Sequence, residues 1–390
     1  MNNNFNYNDY ENNNKDNKVL EKKDYYINNL SNKNESNSKN IIISLILIIA
    51  IIGLVSSIVI VKFNKEGDSN NSNNNNNNQV ENNKDKEDSE EEKEVTIIDI
   101  NSNTRPYAVM INCHNGALPQ AGLNHAYIVY ELMVEGGITR MMALFKDREV
   151  AKIGSVRSAR TQYLDYVYEH DAIYVHAGGA KDALNRISGE KINHIDVDGV
   201  YGFRDTTLKR SWEHTLFTST EKLKTGVTNH GYKTTTNTKN LLTYQADSLD
   251  LNSYKSIKTA NNVSIKYSDY RTSNYTYDSN KKVYLRSMNN TQNIDLVTNL
   301  QYEVKNIIVY GVNYSTYTYN NYNGYQKLAN VGSGDGYYIT EGKAIPITWS
   351  KPSKNEKTIY KVKETGKELI VNDGNTYIQI YPTSGSLSIN

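Results

Sequence analysis

Two arginines stand where a predicted strand gives way to a predicted helix. Arg157 and Arg160 lie in the segment GSVRSAR, residues 154–160. A helix start offers free N–H groups and a partial positive charge, and arginines three residues apart can form a fork for a carboxylate or a phosphate. The spacing therefore predicts an anion-binding site. Internal ion pairing with Glu131 or Glu135 is the alternative, and the sequence does not decide between the two.

Two carboxylates lie close to these arginines along the chain. Glu131 and Glu135 are four residues apart in YELMVEGGITR, residues 130–140, and a Gly-Gly turn follows them. Two carboxylates can divide acid and base roles when their surroundings separate their pKa values. Both are therefore candidates for a catalytic acid or base. The number of nearby arginines favours structural ion pairing instead, with Arg140 or with the two arginines of the fork.

His176 closes a predicted strand at 172–176 and precedes a glycine loop and a predicted helix at 180–187. In α/β folds, ligands bind beyond the carboxyl ends of such strands. An imidazole at that place can act as a general base or can contact an anion. We therefore count His176 and Arg140, together with the two arginines of the fork, as anion-binding candidates. A histidine satisfied within the core is the alternative for His176.

A further polar group is indicated by GFRD at 202–205 and RSWEH at 210–214. Arg204 and Asp205 are candidate ligand-binding residues, and His214 is a further catalytic candidate. Charged, aromatic and imidazole side chains this close together often line a polar pocket. Nothing in their spacing requires one.

Several kinds of site are not indicated by the sequence. The 44 basic and 43 acidic residues give a net charge of +1, which provides no electrostatic footprint for nucleic acid. The histidines are scattered singly, so no metal site is predicted, and no dinucleotide loop precedes a helix, so no cofactor is predicted. Cys113 is the only cysteine and is predicted to be a buried thiol.

Hydrophobic patterning predicts a mixture of strands and helices around these candidates. A helix is predicted at 159–169 from its apolar face. A capping box at 218–221 predicts a short helix at 220–224, closed by Gly226. Short β-rich runs predict strands at 107–111, 127–132, 138–145, 149–153 and 172–176.

The character of the chain changes after about residue 239. The stretch 267–381 has no histidine and many alternating Tyr, Thr, Val and Ile segments, which predict antiparallel β-structure. The predicted fold class is therefore α+β. A mixed α/β first domain at 95–240 is followed by a β-rich second domain at 241–390.

An uncharged run, IIISLILIIAIIGLVSSIVIV, predicts a single transmembrane helix at 41–62. A helix of this length spans roughly 32 Å at ~1.5 Å per residue, enough for a bilayer core of ~30 Å. More lysines precede it than follow it, so we expect a cytoplasmic N-terminus and extracellular C-terminal domains at the plasma membrane. A cleaved signal peptide is the alternative, and the long preceding segment opposes it. Residues 1–40 read as a disordered Asn-rich tail and 63–94 as a disordered Asn-rich and acidic linker.

Several motifs resemble those of the bacterial YerB family, also known as DUF3048, with an N- and a C-terminal domain. The motifs are RPYAVMI at 105–111, PQAGL at 119–123, VYELMVEGGITR at 129–140, IGSVRSAR at 153–160, YVHAGG at 174–179, GSGDGYY at 332–338 and ITWSK at 347–351. The resemblance implies a membrane-tethered extracytoplasmic protein of Gram-positive-type bacteria, often a lipoprotein, and it brings no established reaction. This chain departs from the family by having an apolar helix instead of a lipidated cysteine. It also has Glu-His-Thr at 213–215 where the family tends to have Pro-His-Asn.

The leading functional hypothesis is a cell-envelope binding module. Its ligand would be an anionic group of the wall, either a carboxylate of a peptidoglycan stem or a phosphate of a wall polymer. The residues expected to hold it are Arg140, Arg157, Arg160 and His176.

An enzyme is the main alternative. A wall hydrolase or transferase would use Glu131 or Glu135 as acid or base, assisted by His176 or His214. A third hypothesis is a scaffold for envelope proteins that uses the tyrosine-rich second domain as a contact surface.

Overall fold

The computed structural model describes residues 93–390. The predicted tail at 1–40, the predicted membrane span at 41–62 and nearly all of the predicted linker at 63–94 lie outside the described residues. Within residues 93–390, no helix is both long enough and apolar enough to cross a bilayer.

Residues 93–390 form 24 strands, three α-helices and five short 3-10 helices. The strands up to residue 245 are β1 Tyr107–Asn112, β2 Ile128–Met133, β3 Thr139–Phe145, β4 Ile153–Gly154, β5 Ile173–His176, β6 His194–Asp196, β7 Phe203–Arg204, β8 Leu216–Thr218 and β9 Thr243–Gln245. The later strands are β10 Lys258–Thr259, β11 Asn262–Ser268, β12 Arg271–Asp278, β13 Val283–Met288, β14 Thr291–Gln292, β15 Glu303–Val304, β16 Asn306–Val312, β17 Tyr314–Tyr319, β18 Tyr322–Leu328, β19 Gly332–Thr340, β20 Lys343–Lys351, β21 Ile359–Val362, β22 Ile370–Asn372, β23 Thr376–Pro382 and β24 Ser386–Ile389. The α-helices are α1 Thr161–Glu169, α2 Lys181–Gly189 and α3 Thr220–His230, and the 3-10 helices are Asn115–Ala117, Leu123–His125, Glu135–Gly137, Trp212–His214 and Leu251–Ser253.

A central sheet of eleven strands runs through both halves of the chain, in the order β10-β20-β19-β16-β23-β2-β3-β1-β5-β6, with β21 paired to β20. Strand β23 lies between β16 and β2 and is parallel to both. The prediction of purely antiparallel structure after residue 267 was therefore wrong. The reason is that β23 returns to the middle of the sheet, where six of its seven residues are buried and the alternation typical of a half-exposed strand is lost.

A second sheet of six strands covers one face of the central sheet. Its order is β14-β13-β12-β11-β24, with β15 paired to β13. Its strands alternate buried and less buried residues, which is the pattern of a sheet with one face on the core. Val263, Tyr275 and Tyr284 are among the inward residues that pack with the central sheet. The fold is thus mixed α/β with a β-rich second half, as the sequence predicted.

Helices α1 and α2 cover the opposite face of the central sheet. Tyr163 and Leu164 of α1 and Ile187 of α2 pack with Met110 and Met142 of the sheet in one buried cluster. Burial of this apolar face, rather than helix propensity, is what stabilises helices this short. The strands predicted at 107–111, 127–132, 138–145 and 172–176 all form, with ends that differ by at most one residue.

Two predicted elements differ in length from the observed ones. Helix α3 does not close at Gly226 but continues to His230, and Gly231 ends it with a φ of 65°. A glycine inside a helix costs only about 1 kcal/mol, and buried Leu223 and Val227 hold the turns on either side of it. The strand predicted at 149–153 is reduced to β4, because its partner β8 pairs with only two residues.

Candidate functional site

One edge of the central sheet collects the ends of several strands. Strands β1, β2, β5 and β6 all point toward this edge, and antiparallel β3 begins there. Asn112 at the end of β1 pairs with Arg140 near the start of β3. Met110 and Met142, two residues away on each strand, pack beneath α1. Because side chains alternate between faces, Asn112 and Arg140 also point to the α1 side.

The segment between β4 and α1 crosses this edge and carries two more arginines to it. The Arg157 amide donates to the Met110 carbonyl at 2.9 Å, and the Ala177 amide donates to the Arg157 carbonyl at 3.1 Å. Arg157 is therefore fixed between the ends of β1 and β5. Arg140 Nη1 donates to the Ser158 carbonyl at 2.6 Å, which ties β3 to the same segment.

We call these three residues, Arg140, Arg157 and Arg160, the arginine cluster. The cluster contains three guanidinium groups but pairs with fewer carboxylates. Arg157 pairs with Glu213 at 3.0 Å, and Arg160 Nε lies 2.8 Å from both oxygens of Glu135. Arg140 makes no ion pair within residues 93–390, and burial, together with the charges of Arg160 and Arg157, lowers its pKa to about 10. The buried Arg157 Nε has no hydrogen-bond partner among the described residues. The cluster therefore carries one uncompensated positive charge.

The two candidate carboxylates lie apart in the structure. Glu135 belongs to the edge and is bound by Arg160. Glu131 points to the opposite face of the sheet, where it is fully buried and lies 2.9 Å from Arg286. Burial alone would raise the pKa of Glu131, but Arg286 and a hydrogen bond from Thr139 hold it below its ordinary value. Glu131 is thus a charged structural group without contact to solvent.

His176 is buried at the end of β5, and both of its ring nitrogens are engaged. Nδ1 lies 2.8 Å from the Gly178 carbonyl, and Nε2 lies 3.0 Å from Nδ1 of His194. The carbonyl requires a proton on Nδ1, so Nε2 accepts from His194. Burial lowers the pKa of His176 to about 4. This imidazole orders the glycine loop that follows β5 and offers no free nitrogen to a ligand.

His214 adjoins the arginine cluster. Its Nδ1 accepts from Asn112 Nδ2 at 3.0 Å, and its ring stacks on His114 with centroids 4.9 Å apart. Its Nε2 lies 3.6 Å from Glu213, which also pairs with Arg157. Burial lowers the pKa of His214 below its ordinary value, so the imidazole is neutral near pH 7 and supports the cluster without adding charge.

Arg204 and Asp205 are held by partners of their own. Arg204 pairs with Asp198 at 2.9 Å and lies 4.3 Å above the ring of Trp212. Asp205 pairs with Lys152 at 2.5 Å. Among the described residues no hydrogen bond or ion pair joins either one to the arginine cluster, so the structure does not bring these two candidates into the same site.

A groove on the second-sheet side of the same edge was not found from the sequence. It has a volume of about 790 Å³, within the ~300–1,000 Å³ typical of ligand pockets. Its lining includes Arg271, which is only 2% exposed, and Asn274. Arg271 occupies an inward position of β12, where the strand pattern calls for an apolar residue. That misfit was the one signal in the sequence that could have indicated it.

Cysteine and metal chemistry have little support in this region. Burial raises the pKa of the Cys113 thiol to about 11, so it is protonated at neutral pH and unreactive. Across residues 93–390 no three His, Cys, Asp or Glu side chains converge as a metal site requires.

Comparisons with known proteins find similarity in both halves of the chain. The family model "Protein of unknown function (DUF3048) N-terminal domain" matches residues 95–233, and the model of the DUF3048 C-terminal domain matches residues 263–378. The chain is 30% identical over 291 residues to the Bacillus subtilis (strain 168) protein named "Putative lipoprotein YerB", a match that covers 73% of this chain and 83% of that protein. The crystal structure of the Bacillus subtilis YerB protein superposes with a TM-score of 0.63 at 27% identity, over 73% of this chain and 94% of that one.

Proposed function

Because this chain belongs to the YerB-like DUF3048 family, we propose that it is a membrane-anchored protein of the cell envelope that binds an anionic wall ligand at the arginine cluster. The relative's name, a lipoprotein, supports an extracytoplasmic location. In this chain the anchor would be the apolar run at 41–61, with the N-terminus in the cytoplasm and residues 95–390 outside. Resistance of the full-length protein to carbonate extraction, and protease access to residues 95–390 in intact protoplasts, test the anchor and its orientation.

The observation that carries the binding proposal is the charge imbalance of the cluster. Three guanidinium groups face two carboxylates, and Arg140 is buried without an ion pair in the described part of the chain. A buried cation without a counterion costs several kcal/mol. A ligand carboxylate or phosphate would offset that cost and could accept the unpaired Nε–H of Arg157.

The ligand class follows from this location. An envelope-facing protein meets the carboxylates of peptidoglycan stem peptides and the phosphates of wall polymers, and guanidinium groups bind both. Sacculi prepared with and without their phosphate polymer distinguish the two sources. Binding that disappears with the polymer indicates the phosphate, and binding that persists indicates the peptidoglycan carboxylate.

The test compares full-length protein in detergent with an Arg157→Ala/Arg160→Ala variant for retention on sacculi. We expect at least about a tenfold loss of affinity from removing two charge-assisted contacts. Arg148→Ala is the matched control, since Arg148 is an exposed arginine whose side-chain hydrogen bonds within residues 93–390 go to the Thr96 and Ile97 carbonyls. If the double variant is folded by circular dichroism and binds as tightly as the parent, the cluster is not the binding site.

The same incubation also tests the enzyme alternative. Mass spectrometry of the released material would detect new wall fragments, which a binding module does not produce. The geometry gives an enzyme little support, because Glu131 is sealed from solvent and Glu135 is already bound by Arg160.

A further inference from the structure

We propose that the groove lined by Arg271 is a second binding site, for a saccharide that carries a carboxylate. The groove lies between the loop that follows β1, the turn between β2 and β3, and the hairpin of β11 and β12. Its lining includes His114, Gly136, Tyr270, Arg271, Asn274 and Asn289. It adjoins the arginine cluster, since His114 of its lining stacks on His214, but Arg140, Arg157 and Arg160 are not among its lining residues.

Arg271 is the reason to expect a negatively charged group. Its side chain is 2% exposed and makes one hydrogen bond to the described residues, from Nη2 to the Cys113 carbonyl at 2.9 Å. Its Nε and Nη1 are buried without partners among the described residues, and Arg271 makes no ion pair there. Buried polar groups are nearly always hydrogen-bonded in native proteins. An unsatisfied guanidinium on the lining of a groove therefore indicates that an acceptor reaches it when the site is filled.

A second unsatisfied donor belongs to another residue of the lining. Asn274 accepts from Ser264 at 2.8 Å through Oδ1, but its Nδ2 is buried without a partner in the described part of the chain. Asn274 occupies an outward position of β12, whereas Arg271 occupies an inward one, so the two side chains lie on opposite faces of the strand. Asn274 therefore adds an amide to the polar lining of the groove, and Arg271 alone supplies its positive charge.

The remaining lining suits a sugar chain. Amide side chains such as Asn289 and the hydroxyl of Thr272 match the dense hydroxyl and amide groups of a saccharide. Tyr270 is 72% exposed, and its ring offers a flat apolar surface with a polar tip. An apolar ligand would leave these polar groups unpaired, at a cost.

The charge of the groove favours a single carboxylate. The lining also contains Asp269, which is neutralised by Lys266 at 2.8 Å. Arg271 is then the one formally charged lining residue that makes no ion pair within residues 93–390. A monoanion balances it, whereas a dianionic phosphate monoester would leave an excess negative charge beside Asp269.

The experiment measures binding of defined disaccharides to the full-length protein in detergent by titration calorimetry. The probes are N-acetylglucosaminyl-N-acetylmuramic acid, whose lactyl group supplies a carboxylate, a glucuronic-acid disaccharide, and di-N-acetylchitobiose, which has no carboxylate. We expect at least one acidic probe to bind, and di-N-acetylchitobiose to bind at least about tenfold more weakly, since it lacks the charge-assisted contact.

Three variants locate the site. Arg271→Met removes the unsatisfied donors, and Asn274→Asp keeps the hydrogen bond from Ser264 while placing a negative charge on the lining. Each variant is expected to lower the affinity for the acidic probe by about tenfold or more. Asn274→Asp covers the case in which Arg271→Met does not fold. Tyr270→Ala is expected to lower the affinity for every disaccharide that binds. Tyr322→Ala, an exposed tyrosine on β18 outside the groove, is the matched control.

The outcomes separate this site from the arginine cluster. Loss of disaccharide binding in the Arg271 or Asn274 variants, with binding intact in Arg157→Ala, supports the groove. The proposal is overturned if no acidic disaccharide binds at millimolar concentration, if di-N-acetylchitobiose binds as well as the acidic probes, or if folded variants of the groove bind like the parent. None of these results bears on retention by the arginine cluster.

Discussion

The Glu131 carboxylate lies 2.9 Å from Nη2 of Arg286, and both side chains have no exposure to solvent. Glu131 belongs to β2 of the central sheet and Arg286 to β13 of the second sheet, 155 residues away along the chain. Ser273 and Thr139 donate further hydrogen bonds to the same carboxylate. The pair therefore links the two sheets in the buried layer between them.

Breaking this pair by removing one partner is expected to destabilise the fold strongly. Glu131→Leu leaves Arg286 buried without a counterion, and we expect a loss of about 3–5 kcal/mol in the free energy of unfolding. The double variant Glu131→Leu/Arg286→Leu leaves no uncompensated charge and should lose less than the sum of the two single variants. Urea unfolding followed by the fluorescence of buried Trp349 measures all three. Additive losses would show that the two groups do not interact.

Glu131 also gives the fold an acid-sensitive contribution. Its pKa is held below its ordinary value of 4.5 by Arg286 and Thr139, although burial opposes this. When folding lowers the pKa of a carboxyl group, that group stabilises the folded state fully at any pH above its pKa in the unfolded chain. The stabilisation is lost as the pH falls through its pKa in the folded protein. The parent should therefore lose stability below about pH 4.5 more steeply than Glu131→Gln. Equal slopes for the two proteins in urea unfolding between pH 5 and pH 3 would contradict this assignment.

His176 is expected to remain neutral in weak acid. Burial lowers its pKa to about 4 from an ordinary value of 6.5. Between these values the unfolded chain binds a proton that the folded chain excludes, so stability falls as pH decreases from about 6.5 to about 4. Long-range nitrogen–proton spectra of histidine-labelled protein at pH 5.5 should show the Nδ1–H tautomer for this residue. A protonated ring at that pH would refute the buried assignment, and His176→Gln supplies the resonance assignment.

Glu135→Gln separates the binding and enzyme hypotheses by the sign of its effect. Glu135 binds Arg160 Nε with both oxygens at 2.8 Å and so neutralises part of the arginine cluster. Without its charge, the cluster gains one uncompensated cation. We expect a several-fold higher affinity for sacculi and a steeper salt dependence. A catalytic role predicts instead that turnover is lost. Glu149→Gln, which changes an exposed carboxylate outside the cluster, is the control.

Much of the local structure could be predicted from the sequence because it depends on short-range pattern. Alternation and apolar faces located the strands around Tyr107 and Ile173 and the helix that contains Tyr163. The candidate site residues were all taken from the half of the chain that carries the histidines. Arg140, Arg157 and Arg160 were grouped because all three are arginines. They lie close together in the structure because β1 pairs with β3 and with β5.

The partners of individual side chains could not be predicted, because they come from distant parts of the chain. The sequence offered Arg140, Arg157 or Arg160 as partners for Glu131, whereas its partner is Arg286 in the second half. Likewise, the two nitrogens of His176 are occupied by a loop carbonyl and by His194. Such contacts are set by sheet order and by the packing of two sheets, which no local pattern encodes.

The position of β23 has a consequence for how the protein is made. Strands β2 and β16 each have this late strand as one of their two neighbours, so one edge of each stays open while the polypeptide is being synthesised. The central sheet closes only after residue 382 has emerged. A nonsense mutation between residues 313 and 376 therefore leaves two apolar strand edges unpaired, which favours aggregation and proteolysis over a shortened functional product.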